Sequence, residues 1–287
     1  MPKANGSSQS EEYLLFLLDY LACPVEHSSP LNVMRDAGGR IVAVRTLAGE
    51  YPVVNNIPCM VPDLLKGAGR EVTLWQKHQD RMWQEYQDGE EGVFSMDNEV
   101  TRYAGEIIAL AGEGLFLDIG CGALPLPSYM EASAGHGKWI GIDPFFGDVN
   151  RRFPFVQGQG ECLPFRDQVF DGVLYASTIY HHMAPRQSLE HSHRVLKAQG
   201  QLYIWYEPPK WKVRYAFWKV QRALGWNCHY TRDYPWGFTH RALHSLLEGA
   251  GFTLERTVLL CERCSAYQKT CKEANQFLAI ARRAGPS

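Results

Sequence analysis

The residues able to do chemistry in this 287-residue chain concentrate in a few acids, glycines and histidines. Gly114-Leu115-Phe116-Leu117-Asp118-Ile119-Gly120-Cys121-Gly122 is an apolar run that ends in an acid and a glycine turn. Glycines there remove side chains where the chain bends sharply and let a ligand lie against the backbone. Lys138-Trp139-Ile140-Gly141-Ile142-Asp143 is a second run ending in a carboxylate. An acid so placed can accept hydrogen bonds from two ribose hydroxyls, as nucleotide-binding sheets do at their carboxyl edge. Further along, Tyr180-His181-His182 offers groups that can hold or move a proton near neutral pH.

Strands must position these groups. A short apolar run closed by turn residues reads as a buried parallel strand. The two runs are therefore expected to be strands with Asp118 and Asp143 at their carboxyl ends. Phe155 to Phe165 continues as strand, polar turn and Leu163-Pro164-Phe165, and Asp171 opens an apolar strand that runs to Ser177. A helix is expected over 188–197, ahead of a strand at 202–205. A dinucleotide-binding turn would carry a third glycine where Pro125 stands.

This order of motifs across 112–208 resembles the large class I methyltransferase family that includes the quinone-biosynthesis C-methyltransferases. The resemblance implies an α/β fold: a Rossmann-like, seven-stranded methyltransferase sheet with helices on both faces. It implies S-adenosylmethionine as cofactor, with Asp118 near its methionine end and the backbone of Gly120, Cys121 and Gly122 against it. Asp143, followed by Pro144, is implied to hold the ribose hydroxyls, and Gln159, Gly160 and Glu161 to form the turn that meets the adenine. Ser177 is expected to face cofactor or acceptor. Tyr180, His181 and His182 are expected on the acceptor-side loop, either histidine being a candidate general base. The chain departs from the family pattern at Gln159, where many relatives carry an acid, and at Leu124, where many have a third loop glycine. The fourth strand ends in Ala176-Ser177-Thr178, unlike the Asn-Pro-Pro-Tyr type loop of amide and base N-methyltransferases.

The flanks are less regular. Residues 1–12 read as a disordered tail, and Leu14 to Leu21 as a short amphipathic helix. The stretch 13–66, with Cys23-Pro24, Tyr51-Pro52 and Asn56-Ile57-Pro58, resembles the small zinc-ribbon family that activates methyltransferases as partner subunits or fused modules. A tetrahedral site there needs two cysteine pairs. Here Glu26 stands where the partner of Cys23 belongs, and 41–50 holds no cysteine. A β-rich module that keeps the shape without the metal is expected. The remainder, 67–287, is expected to be the methyltransferase domain, with a helical cap over 67–111 that carries Trp75, Met82, Trp83 and Tyr86. It also contains an insertion at 207–238 that interleaves aromatics such as Trp211, Trp218 and Trp236 with Lys210, Lys212 and Arg214. That mixture suits a lid over an apolar or planar acceptor, packing on the sheet, stacking of RNA bases or an anionic membrane surface. His229, Tyr230 and Tyr234 in it are weaker catalytic candidates. Cys261, Cys264 and Cys271 read as ordinary thiols, and no metal is expected.

Composition sets the outer bounds. Net charge is −2, from 29 basic and 31 acidic residues, so no general field favours nucleic acid. Eight scattered cysteines do not form a disulfide framework, which suits a reducing cytoplasm. The expected partner is a small-molecule acceptor, with no stable nucleic-acid complex. Any peripheral membrane contact would run through 210–238, and monomer and homodimer are both open. Methyl transfer to an aromatic, quinone-like or isoprenoid acceptor is the first reading. RNA methylation and a non-catalytic binding protein are the alternatives.

Overall fold

A computed structural model describes residues 6–28, 31–62, 77, 80, 84, 99–145, 149–208, 220, 238–260 and 276–284. The expected aromatic cap residues, most of the 207–238 insertion and the cysteines at 261, 264 and 271 lie outside the described residues.

The chain opens with helix α1, Gly6–Leu18, then strands β1 (Asn32–Arg35), β2 (Ile41–Arg45), β3 (Glu50–Val54) and β4 (Ile57–Pro58), paired in that order as an antiparallel sheet. Helix α2 (Glu99–Ala109) leads into β5 (Gly114–Ile119), α3 (Ser128–Ala132), β6 (Gly137–Asp143) and β7 (Phe155–Gln157). There follow β8 (Phe170–Ala176), α4 (Pro185–Val195), β9 (Leu196–Tyr206), α5 (His240–Gly249), β10 (Phe252–Leu259) and β11 (Phe277–Arg283). The large sheet has seven strands in the order β10-β11-β9-β8-β5-β6-β7. All pairs from β9 to β7 are parallel, and β11 runs antiparallel to both β9 and β10. This is the expected Rossmann-like architecture. From β5 the chain winds one way to β6 and β7, then returns to β8 and β9 on the other side. The carboxyl ends of β5 and β8 therefore flank a crevice at the reversal, where such sheets bind ligands.

Strand alternation sorts β5 between two apolar layers. Leu115, Leu117 and Ile119 join a core with Val156, Leu163, Leu189 and Leu247, while Phe116 joins a second core with Ile108, Tyr129 and Trp139. Asp118 shares the parity of Phe116, which directs its carboxyl to the side of α3.

The N-terminal module shares the first core, to which it contributes Leu17, Leu21, Tyr51 and Met60. It is also stitched to the large sheet by backbone bonds: Met60 N–H to Gln157 O at 2.7 Å, Ala22 N–H to Pro164 O at 3.0 Å and Arg166 N–H to Tyr20 O at 2.9 Å. The expected tail is corrected in part, because α1 begins at Gly6 rather than near Leu14. Its polar first turns are held by side chains, Gln9 Nε2 to Tyr13 Oη at 2.7 Å and Asn56 Nδ2 to Ser10 Oγ at 3.0 Å. The second bond reaches across from the hairpin turn, where Asn55 and Asn56 both take positive φ, and no local propensity signals it. In the turn after Cys23, the Glu26 N–H points at Cys23 Sγ, 3.5 Å away. Among the described residues no three His, Cys, Asp or Glu side chains are grouped to hold a metal.

Two further boundaries moved. The helix expected from Ser188 starts at Pro185 and ends at Val195, since proline is favoured in a helix's first turn. Leu196 already pairs with Phe170, so β9 begins earlier than expected. Thr239 caps α5 as its type suggests, its Oγ1 accepting the Ala242 N–H at 3.1 Å. No described helix is long and apolar enough to cross a membrane.

Candidate functional site

At the carboxyl end of β5 the chain turns through Gly120 (φ 82°) and Gly122 (φ 66°), a conformation that favours glycine. A Cβ on Gly122 would meet open space, whereas one on Gly120 would stand 2.8 Å from the Thr178 side chain. Among the described residues, nothing therefore stands against the backbone of the second glycine, where a ligand could approach. The turn is anchored below by Gly120 N–H to Ile142 O at 2.8 Å and by Thr178 Oγ1 to Ile119 O at 2.7 Å. Cys121 is buried beneath it, and burial pushes its thiol well above the usual range.

Asp118 is fully buried. Its Oδ2 accepts a 2.5 Å hydrogen bond from Tyr129 Oη, and its Oδ1 has no partner among the described residues. Loss of water raises its pKa to about 7, against the opposing effect of the Tyr129 bond, and nearby Asp143 adds to the rise. Asp143 accepts the Gly122 N–H at Oδ2 and the Phe145 N–H at Oδ1, each at 2.8 Å. Burial raises its pKa to about 6, offset by those two N–H groups and the Arg151 charge. Each carboxylate oxygen can accept more than one bond, so Asp143 retains capacity for ribose hydroxyls. Pro144 follows it, and its carbonyl accepts Gln157 Nε2 at 2.9 Å.

The turn after β7 brings in Gln159, which is 5% exposed and whose Oε1 is a second buried oxygen without a partner. Gly160 and Glu161 follow as a single 3-10 turn. Glu161 does not present its carboxylate to this edge. Its Oε1 accepts the backbone N–H groups of Met183 and Ala184 at 2.7 and 3.3 Å.

On the far side of the crevice, Ser177 takes a positive φ of 63°, a conformation that costs about 1–3 kcal/mol for a non-glycine residue and clusters at functional sites. Its Oγ bonds Tyr180 Oη. His181 is half-buried and its ring meets that of Tyr180 edge-on at 5.0 Å. His182 turns the other way. It is buried, its Nδ1 is 2.7 Å from Ser188 Oγ and its ring packs on Tyr175 at 5.3 Å. Burial lowers its pKa, against the opposing effect of the Glu161 charge.

Asp118, Gly120, Cys121, Gly122, Asp143, Pro144, Gln159 and Gly160 thus gather at one edge, with Ser177, Tyr180 and His181 beside them. Two contributors escaped the sequence reading. Tyr129 on α3 completes Asp118. Arg151 is 8% exposed, lies 3.7 Å over the Phe155 ring and donates to the Gly122 carbonyl at 3.1 Å. Neither carries a local signal, because each reaches the turn only through the fold. A groove of about 450 Å³ lies at the opposite, amino edge of the sheet, lined among others by Glu113, Asp171, Lys197 and Arg282, and includes none of these residues.

The two orphaned oxygens test what would fit. A buried acceptor left unpaired costs about 1–3 kcal/mol, so Asp118 Oδ1 and Gln159 Oε1 call for donors. S-adenosylmethionine carries an ammonium at one end and an adenine amino group at the other, with ribose hydroxyls between them for Asp143. The residues fit the group.

Residues 117–204 match the sequence profile of the family described as Methyltransferase domain. No match to the chain is found among curated proteins. Among solved structures, the chain is similar to the Burkholderia thailandensis 1,6-didemethyltoxoflavin-N1-methyltransferase with bound 1,6-didemethyltoxoflavin and S-adenosylhomocysteine. Identity is 19% over 76% of this chain and 92% of that one, with a TM-score of 0.56. A Thermotoga maritima S-adenosylmethionine-dependent methyltransferase is 20% identical over 74% of this chain and all of its own, with a TM-score of 0.50. At these identities the likeness establishes the fold. The domain match supports S-adenosylmethionine as cofactor and methyl transfer as the class of reaction, and the two orphaned acceptors fit that cofactor.

Proposed function

We propose that the chain methylates a small acceptor, aromatic, quinone-like or isoprenoid, by in-line attack on the methyl group of S-adenosylmethionine. The observation that carries this reading is the pair of unpartnered buried oxygens on either side of Asp143. In it, Asp118 Oδ1 accepts the ammonium, Asp143 the ribose hydroxyls and Gln159 Oε1 the adenine amino group. The Gly122 backbone leaves room for close approach.

When bound, the cofactor supplies a sulfonium whose methyl group is already activated, so the protein's task is to align the acceptor and exclude water. Ser177, Tyr180 and His181 line the acceptor side. His181 takes the proton when the acceptor is a phenol, enol or hydroxyl, since imidazole titrates near neutral pH. His182 does not share that role in this reading, because its Nδ1 is engaged by Ser188 inside the fold. The N-terminal module supports the adenine side, where Met60 and Ala22 hold the strand and turn that carry Gln159. A net charge of −2 offers little attraction to a polyanion, which leaves RNA the less favoured acceptor.

The test is calorimetric titration of S-adenosylmethionine and S-adenosylhomocysteine into the protein, followed by a turnover screen over phenols, quinols, isoprenoids and short RNAs. Micromolar binding with transfer to a small acceptor is the expected result. Absence of binding by either ligand overturns the reading, and transfer to RNA alone overturns the acceptor class.

A further inference from the structure

The 3-10 turn Gly160–Cys162 belongs to the cofactor edge, yet its polar groups reach across to the acceptor-side loop. Glu161 is 4% exposed. Its Oε1 accepts the Met183 and Ala184 N–H groups, its Oε2 lies 3.7 Å from His182 Nδ1, and its backbone carbonyl accepts Gln187 Nε2 at 2.8 Å. His182 in turn closes on Gly160 so tightly that a Cβ there would stand 2.4 Å from its Cε1.

The local chemistry explains the need for a carboxylate. Ala184 occupies the N-cap of α4 and has no side-chain oxygen with which to satisfy the helix's first N–H groups. The N–H groups that Glu161 accepts, from a segment more than twenty residues earlier, are those of Met183 and Ala184 leading into the helix, and negative charge at a helix N-terminus is favoured there. The consequence is geometric. Gln159 sits two residues before Glu161, and His181 two residues before Met183. The two segments meet by direct hydrogen bonds, through which a shift of one would act on the other.

We infer that Glu161 is a positioning residue that couples the two halves of the site. Fixing Gln159 and Gly160 against the adenine holds the 180–184 loop, and with it His181, in place for the acceptor. The coupling is reciprocal, as any linkage between two binding events must be. The inference rests on the cofactor reading above.

Hydrogen exchange of the full chain, with and without S-adenosylhomocysteine, tests it. In the wild type, ligand should slow exchange at 120–122 and also at 180–184. In Glu161→Ala, protection at 120–122 should persist while protection at 180–184 is lost. Glu161→Gln, which keeps an oxygen for the two N–H groups, should restore it. In kinetics, Glu161→Ala should raise the acceptor KM or lower kcat by about fivefold or more, the lower end of ordinary coupling, with a smaller change in the cofactor KM. Wild-type protection confined to 120–122 overturns the coupling, as does undiminished protection at 180–184 in Glu161→Ala. Wild-type protection nowhere overturns the cofactor reading itself, and the inference with it. The wild-type comparison decides the matter even if Glu161→Ala fails to fold.

Discussion

Gln159 and Glu161 lie on one turn, two residues apart and equally buried, yet their oxygens have opposite circumstances. Gln159 Oε1 has no partner, while Glu161 accepts two backbone N–H groups and faces a histidine. The neighbouring histidines differ in burial, His181 being half-buried and His182 buried with its Nδ1 bonded to Ser188. The difference teaches which polar groups await a ligand. An interior leaves an acceptor unpaired only at a cost, so Asp118 Oδ1 and Gln159 Oε1 are the two oxygens at this edge that call for donors.

The largest expected effect separates the two histidines. His181→Ala should lower kcat by about 10²–10⁴-fold, the usual contribution of a positioned acid or base, for an acceptor that must lose a proton. The affinity for S-adenosylhomocysteine should stay as it was. His182→Ala should instead lower the midpoint of thermal unfolding, since it removes a buried ring packed on Tyr175 and bonded to Ser188. A rate loss in His182→Ala without loss of stability, beside an unaffected His181→Ala, breaks the assignment.

Asp143→Ala comes next. It removes the acceptor for the Gly122 and Phe145 N–H groups as well as the ribose partner, and calorimetry should show cofactor binding weakened by about 1–3 kcal/mol. Unchanged affinity would place the ribose elsewhere.

The two buried carboxyls also give the ligand-free protein a pH signature. Asp118 rises from 3.8 to about 7 and Asp143 from 3.8 to about 6 on folding. A group whose pKa is raised in the folded state contributes stability that is complete below the unfolded pKa and disappears as pH climbs through the folded one. Chemical denaturation should therefore show this contribution declining from about pH 4 to 7, by at most about 1.4 kcal/mol per pH unit for each group. Asp118→Asn should flatten the part of that decline between pH 6 and 7, and an unaltered slope would mean Asp118 ionises freely. Gln159→Ala should have the smallest effect, weakening the cofactor by about 1 kcal/mol. A gain in affinity would show that its oxygen faces no donor.

Much of the frame was legible along the chain. The strands that carry Asp118 and Asp143 and the strand that leads to Ser177 all appear where expected, because a buried parallel strand needs a continuous apolar stretch that is visible in any window. The start of α1 was not legible, since its first turns are held by Asn56 from another element. The shared core of the N-terminal module was equally hidden, for its stitching runs through backbone atoms that every residue possesses.

The order of strands, the glycine turn and the two acids at the carboxyl edge are properties of the sequence alone, set by hydrophobic period and by residues whose conformational limits act locally. Which acids are held by the interior was decided only by tertiary structure. Asp118 is completed by Tyr129, the Gly122 turn is braced by Arg151, and Glu161 is drawn away to the N–H groups of Met183 and Ala184 ahead of α4. Hydrogen bonding is settled by distance in space, and no spacing along the chain reports which of two adjacent polar residues will find its partner inside.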